Sequence, residues 1–321
     1  MRAIVLSALF IAASAQAAPH GIYRMNRVTP QQSGAEAGQP TKLLYYGGPV
    51  IARARIYAVL WGDKVLAETK RKIGPFLASM IDSPYMDWLS EYDTVGLTAV
   101  DGRAGTDQRI GRGSFGGTLT IQPSRRGTEL TDRDIQLELE EQIAAGRLPP
   151  SDGNTLYMTY LPPGVGVTIE GSKSCVQMCA YHEGFTSASG SPIYYGVMPV
   201  CGGFGCGSSF DSLTSVSSHE ALEAITDPFP TPGTNPAYPQ AWNTSGGDEV
   251  ADLCTGSSGP LTSRGLTSVV QAEWSNKAGR CINGPWVEAA GVAANRSQIA
   301  PPSLLNNLLG LPGAPRFDGA N

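Results

Sequence analysis

Through the middle of residues 50–62 apolar and polar side chains alternate, and the stretch then closes into the unbroken apolar run Ala58-Val59-Leu60-Trp61 before Gly62. Alternation puts successive side chains on opposite faces of a strand, and a continuous apolar end belongs where both faces are covered. The pattern predicts a strand entering the buried middle of a sheet. From residue 66 the period lengthens: Ile73, Phe76, Leu77, Met80 and Ile81 recur at helical spacing, Ser83-Pro84 breaks them, and Met86, Trp88 and Leu89 mark a second short helix. Residues 94–100 read as a second strand, and the glycine- and arginine-rich stretch 102–117 as a surface loop. Gly111-Arg112-Gly113 is not a phosphate loop, because no Gly-Lys-Ser/Thr follows it.

Thr131-Asp132-Arg133-Asp134 has the form of a capping box with Asp in place of Glu. Ile135, Leu139 and Ile143 line one side of the helix it opens, and Gly146 ends it. Strands are expected at 155–161 and 193–199, separated by a cysteine-bearing block, and a glycine-rich loop leads into a last helix. Strands alternating with helices predict an α/β fold with a mixed sheet.

That last helix, Ser217-Ser218-His219-Glu220-Ala221-Leu222-Glu223-Ala224-Ile225-Thr226-Asp227, carries the chemistry. His219, Glu223 and Asp227 stand at i, i+4 and i+8 and spread over about 80° of one face. Ala221, Leu222, Ala224 and Ile225 take the opposite face, which is expected to pack on the core. The spacing resembles the His-Glu-x-x-His helix of zinc hydrolases, in which two ligands one turn apart hold the metal and the intervening Glu activates water. Here Glu223 stands in the second ligand position; a carboxylate also suits calcium or magnesium, so the ion's identity stays open. An ordinary amphipathic helix with a solvated acidic face is the competing reading. The element order likewise resembles the zincin-like layer, in which an edge strand precedes the helix bearing the first two ligands, and the fold expected is a single zincin-like α/β domain over 43–285.

Further on, Asp248-Glu249-Val250-Ala251-Asp252 brings three carboxylates together just before Cys254. A catalytic zinc site needs three protein ligands and an open position. His219 and Glu223 with Glu249, or with Asp252 in its place, supply that set, with Glu220 as general base. His182 is a third ligand or a proton donor to the oxyanion, unless it is a packed, hydrogen-bonded histidine. Asp227 is expected to orient His219 or to cap the following turn. Serine catalysis is less attractive, since Ser217 and Ser218 adjoin His219 in sequence only and no Gly-x-Ser-x-Gly elbow occurs.

Composition sets the compartment. Residues 1–17 combine Arg2, an apolar run and Ala15-Gln16-Ala17, the pattern of a cleaved signal peptide. Residues 18–42 read as a flexible lead-in and 286–321 as a flexible tail. No stretch is long and apolar enough to span a bilayer, and a formal charge of −5 without a basic stripe gives no reason to expect nucleic acid. The six cysteines fit an oxidising, extracellular or periplasmic setting. Near neighbours are the expected partners: Cys175 with Cys179, Cys201 with Cys206, and Cys254 with Cys281. A cysteine zinc site is disfavoured because no Cys-x-x-Cys pair occurs.

Tyr45-Tyr46-Gly47-Gly48-Pro49 leading into a strand that ends Trp61-Gly62, then Cys179-Ala180-Tyr181-His182 and Thr226-Asp227-Pro228, resemble the phosphate-induced protein 1, or Exordium-like, family and its bacterial relatives. The resemblance covers about residues 43–285. It implies an extracellular protein, associated in plants with the cell wall and growth, and implies no enzymatic activity. Two functions are therefore carried forward. One is a secreted zinc-dependent peptidase in which Glu220 activates water on the metal to attack an extracellular protein or peptide. The other is a non-catalytic module that binds cell-wall polysaccharide or a surface partner, with Trp61, Trp88, Trp242 and Trp274 available to stack on sugars.

Overall fold

The structure, a computed structural model, describes residues 41–203, 205–230 and 236–284, and the backbone of 22–24. The expected signal peptide, most of the lead-in and the expected tail lie outside the described residues. In chain order the elements begin with β1 (Ile22–Arg24), β2 (Leu44–Tyr45), β3 (Arg55–Trp61), α1 (Ala67–Ile81) and a 3-10 helix over Pro84–Tyr92. There follow β4 (Ser114–Ile121), β5 (Glu129–Thr131), α2 (Asp132–Ala144), β6 (Thr155–Tyr160), β7 (Gly166–Ile169) and β8 (Ser172–Lys173). Then come β9 (Met178–Thr186), β10 (Pro192–Met198), α3 (Phe210–Thr226), β11 (Trp242–Asn243) and a 3-10 turn over Asp252–Cys254. The hairpins β12 (Ser258–Ser263) with β13 (Leu266–Gln271), and β14 (Glu273–Ser275) with β15 (Arg280–Ile282), complete the order.

The main sheet runs β1-β9-β10-β6-β3-β4. Strands β4, β3, β6 and β10 are mutually parallel, while β9 runs antiparallel to β10 and β1 antiparallel to β9. Strand parity divides the core. Ile56, Ala58 and Leu60 of β3 and Leu156, Met158 and Tyr160 of β6 face the layer of α1 and α3. Val59, Trp61, Tyr157 and Tyr195 face Ile135 and Leu139 of α2. The mixed α/β fold is as the sequence predicts, and α2 starts from the anticipated cap: Thr131 Oγ1 accepts the Asp134 N–H and Asp134 returns a bond to the Thr131 N–H.

Several expectations are corrected. Residues 94–100 form no strand; their polar groups close locally, with Leu97 N–H on the Thr94 carbonyl and Ala99 N–H on the Arg103 carbonyl. The supposed loop 102–117 runs into β4. Residues 102–113 are irregular as expected, but 114–117 belong to the strand, where Gly116 marks a bulge: register against β3 shifts between Ile56 and Tyr57, and a Cβ on Gly116 would lie 2.3 Å from the Tyr57 ring. Part of the lead-in is ordered as β1, paired with β9. The cysteines join Cys175 to Cys201 and Cys179 to Cys206, not neighbour to neighbour, while Cys254–Cys281 is as expected. Cys179 is held in the extended backbone of β9, so its partner comes from the β10–α3 loop folding back beside it, and the two bridges staple that loop to the strand.

Replacing Thr131 by Ala removes the cap of α2 and should cost about 1 kcal/mol. A melting curve should show Tm lower by about 2–4 °C, and unchanged metal content would confirm that the α2 layer is independent of α3.

Candidate metal centre

Ser209 caps α3 by accepting the Ser212 N–H, and the helix then runs with every residue from Thr214 to Thr226 buried. Both faces are therefore covered, not the apolar one alone. Gly196 leaves room for Met158 of the neighbouring strand beneath the helix. It sits opposite His182 in the ladder, and a Cβ there would meet Met158 Sδ at 3.0 Å and Glu220 Cβ at 3.7 Å. On β9, His182 shares parity with Ala180, so it points at α3.

His219 Nε2 lies 3.1 Å from Glu223 Oε2, one helical turn on. Glu220 Oε2 meets His182 Nδ1 at 3.3 Å. The same Nδ1 is 3.6 Å from Glu223 Oε2, and His182 Nε2 is 3.4 Å from Glu249 Oε1. Asp252 donates its backbone N–H to Glu223 Oε1 at 3.0 Å. Five of the six predicted residues thus form two sets with Glu223 in common: His182, Glu223 and Glu249, and His219, Glu223 and Asp252, with ligand atoms inside each set no more than 4.8 Å apart; Glu220 belongs to neither. Tetrahedral bonds of about 2.1 Å put ligand atoms about 3.4 Å apart, so these separations are of the size a bound ion requires.

Hydrogen-bond partners fix the imidazole tautomers. Gln271 donates its amide to the Ala251 carbonyl at 2.8 Å, which turns its Oε1 toward His219 Nδ1 at 3.2 Å. Oε1 only accepts, so Nδ1 carries the hydrogen and Nε2 presents its lone pair to the Glu223 carboxylate. His182 repeats the arrangement in mirror sense: Nε2 donates to the Asp227 carbonyl at 3.1 Å, leaving Nδ1 toward Glu220 and Glu223. A metal-binding histidine characteristically donates its other N–H to a carbonyl in this way. Lone pair against carboxylate at these distances requires a proton or a metal cation between them.

Without a cation, protons fill the gaps. Burial pulls both imidazole pKa values down, but Glu249 and Glu220 around His182, and Glu223, Glu220 and Asp252 around His219, outweigh it; His219 is raised to about 10 and His182 lies well above its usual value. Burial pushes Glu220 and, much further, Glu249 up, whereas Glu223 is lowered because the two imidazoles overcome its burial. Burial also carries Asp227 to about 8, against the bonds it accepts from the Ala241 N–H and Asn243.

The sequence motif places His219, Glu220 and Glu223, and the structure brings His182, Glu249 and Asp252 to them. Asp227 does not orient His219; its carboxylate ties α3 to the following loop and its carbonyl holds His182. Gln271, which orients His219, and Glu273, a buried carboxyl bonded by Tyr85, carry no sequence signal. Of the four tryptophans available for sugar stacking, Trp61, Trp88 and Trp242 are buried in the core. Among the described residues no helix is long and apolar enough to cross a membrane. No family model, curated protein or solved structure matches this chain.

A carboxyl whose folded pKa is raised stabilises fully below its unfolded value and loses that contribution as pH climbs to the folded value; a raised imidazole behaves likewise from its own unfolded value. For Asp227 the window runs from about 4 to about 8, and for His219 from about 6.5 to about 10. Metal-free protein should therefore melt at progressively lower temperature between pH 5 and 9 in chelator, with Asp227→Asn flattening the lower part of the profile. A Tm that rises over this range would refute the assignment.

Proposed function

We propose that this chain is a secreted metal-dependent hydrolase acting on peptide bonds, with His219, Glu223 and Asp252 as the ligands of its ion and Glu220 as the general base. The observation that carries the reading is Glu220: adjoining the first ligand, buried, held through Oε2 by His182, and accepting no hydrogen bond at Oε1. One nitrogen and two carboxylate oxygens suit zinc and other divalent cations alike. A bound cation supplies polarisation of the scissile carbonyl and acidification of water. Glu220 Oε1 takes the proton of the attacking water and returns it to the leaving amine. Asp252 is the one member of the six with solvent contact, and approach is from its side. The mixed sheet and the passage from β10 into α3 suit a helix that carries ligands, but β10 is an interior strand and not the edge strand that the zincin-like order calls for. Secretion is supported by three disulfides together with the leader pattern of residues 1–17.

A second reading has its own observation. His182, His219, Glu220, Glu223 and Glu249 are each 0 % exposed, and structural metal sites are closed whereas catalytic ones keep an open position. On this reading the ion supports the fold of an extracellular wall- or surface-binding module, the role that the Exordium-like resemblance implies.

Chelation separates the two. The hydrolase should cleave an unfolded protein substrate and lose that activity in chelator, with Glu220→Gln keeping its metal but losing activity about a hundred- to ten-thousand-fold. Activity that survives complete chelation ends the hydrolase reading. A large fall in Tm on chelation, with no hydrolysis by the loaded protein, favours the supporting ion.

A further inference from the structure

We propose that Glu223 bridges two divalent cations, so that His182, Glu223 and Glu249 form a second ion site beside the one that His219, Glu223 and Asp252 provide. The proposal rests on the metal reading above for its neighbour but has its own observations. Glu249 is 0 % exposed, and neither of its carboxylate oxygens accepts a hydrogen bond; the nearest cationic group is His182 Nε2, at 3.4 Å. A buried carboxylate in that condition costs several kcal/mol unless a positive charge or a proton compensates it. Asp252, which serves the first set, lies in the 3-10 turn that follows Glu249, and it cannot serve as partner because it brings another carboxylate.

Orientation adds a second argument. Each imidazole has a separate carbonyl-type acceptor, Gln271 Oε1 for His219 and the Asp227 carbonyl for His182. One ion needs one such arrangement on each ligand it binds, and here the two histidines belong to different ligand sets whose only common member is Glu223. Glu223 is built for the shared role. Its Oε1 is occupied by the Asp252 N–H, and its Oε2 accepts no hydrogen bond while facing His219 Nε2 at 3.1 Å and His182 Nδ1 at 3.6 Å. The free oxygen therefore lies between the two sets.

Charge points the same way. Glu220, Glu223 and Glu249 converge on two imidazoles that become neutral when they bind metal, and no Lys or Arg pairs with any of these three buried carboxylates among the described residues. One divalent cation leaves one of their three negative charges uncompensated in the core. Imidazole with carboxylates suits first-row divalent cations such as zinc or manganese, and paired ions with a bridging carboxylate are an established arrangement in hydrolytic centres.

The test counts ions on the full chain with its disulfides intact. Metal-stripped protein is reconstituted with excess Zn2+, freed of unbound metal, and measured by elemental analysis and native mass spectrometry. Two ions per chain are expected, one in His182→Ala, one in His219→Ala, and none retained in Glu223→Gln. A single ion that His182→Ala keeps and His219→Ala loses would overturn the bridge while leaving the hydrolase reading standing. A single ion lost in both histidine variants would overturn it in favour of one shared ion, and no ion in the wild type would end both readings. Wild-type protein loaded with Mn2+ needs no variant: an exchange-coupled electron paramagnetic resonance spectrum is expected, and the hyperfine pattern of isolated ions would refute the pair.

Discussion

The polar face of α3 is buried, and the rest of the structure is arranged around that constraint. Carboxylates and imidazoles taken out of water must be compensated inside the protein, by hydrogen bonds, protons or cations, because uncompensated buried charge would outweigh the few kcal/mol by which a domain is stable. The apolar half of the helix, Leu222 and Ile225 among it, packs by the ordinary hydrophobic effect. What needs explanation is why His219, Glu220 and Glu223 are equally dry.

The scaffold supplies the explanation through rigidity. Strand β9 fixes His182 by its register with β10, and the absence of a side chain on Gly196, directly across, leaves room for Met158 beneath α3. Two disulfides hold the loop that enters α3, and a third, Cys254–Cys281, holds the end of the segment that delivers Glu249 and Asp252. Gln271, at the end of β13, bonds Ser218 through its N–H and His219 through its side chain, so the C-terminal hairpin also sets the imidazole. A cluster assembled from four separate segments keeps a fixed geometry only if each is anchored on its own.

Much of this was legible in the chain. Helical spacing gives α3 and its donors, alternation gives β3 and β6, and the Thr131 capping box gives the start of α2, because each signal is local. The failures are non-local. Strand β9 is masked by Cys179 and by the polar residues His182 and Glu183, which break the apolar pattern that marks a buried strand; the burial of His182 comes from α3, far along the sequence. Disulfide pairing depends on how the β10–α3 loop folds back, and spacing carries no information about that. The choice between Glu249 and Asp252 stays open in the sequence because it turns on the 3-10 turn, which sets the two in different candidate ligand groups. Gln271 shows the limit most clearly, since a glutamine ending a strand has no pattern that marks it as the partner of a histidine 52 residues away.

The same arrangement connects stability to chemistry. Without a cation the centre favours protons on Glu220, Glu249 and the two imidazoles but not on Glu223, and its cost rises as those protons are withdrawn. Metal binding replaces the protons, so folding, proton release and ion uptake become one linked equilibrium. The linkage bears directly on the two functional readings. A supporting ion requires only that the linkage be strong. A catalytic one requires in addition that a carboxylate of the cluster keep an oxygen outside the ligand sets and able to carry a proton, and Glu220 Oε1, buried and accepting no hydrogen bond, meets that requirement. On the catalytic reading the cluster does more than compensate charge for a buried helix: it leaves one carboxylate oxygen outside the ligand sets, next to the place where a cation would sit.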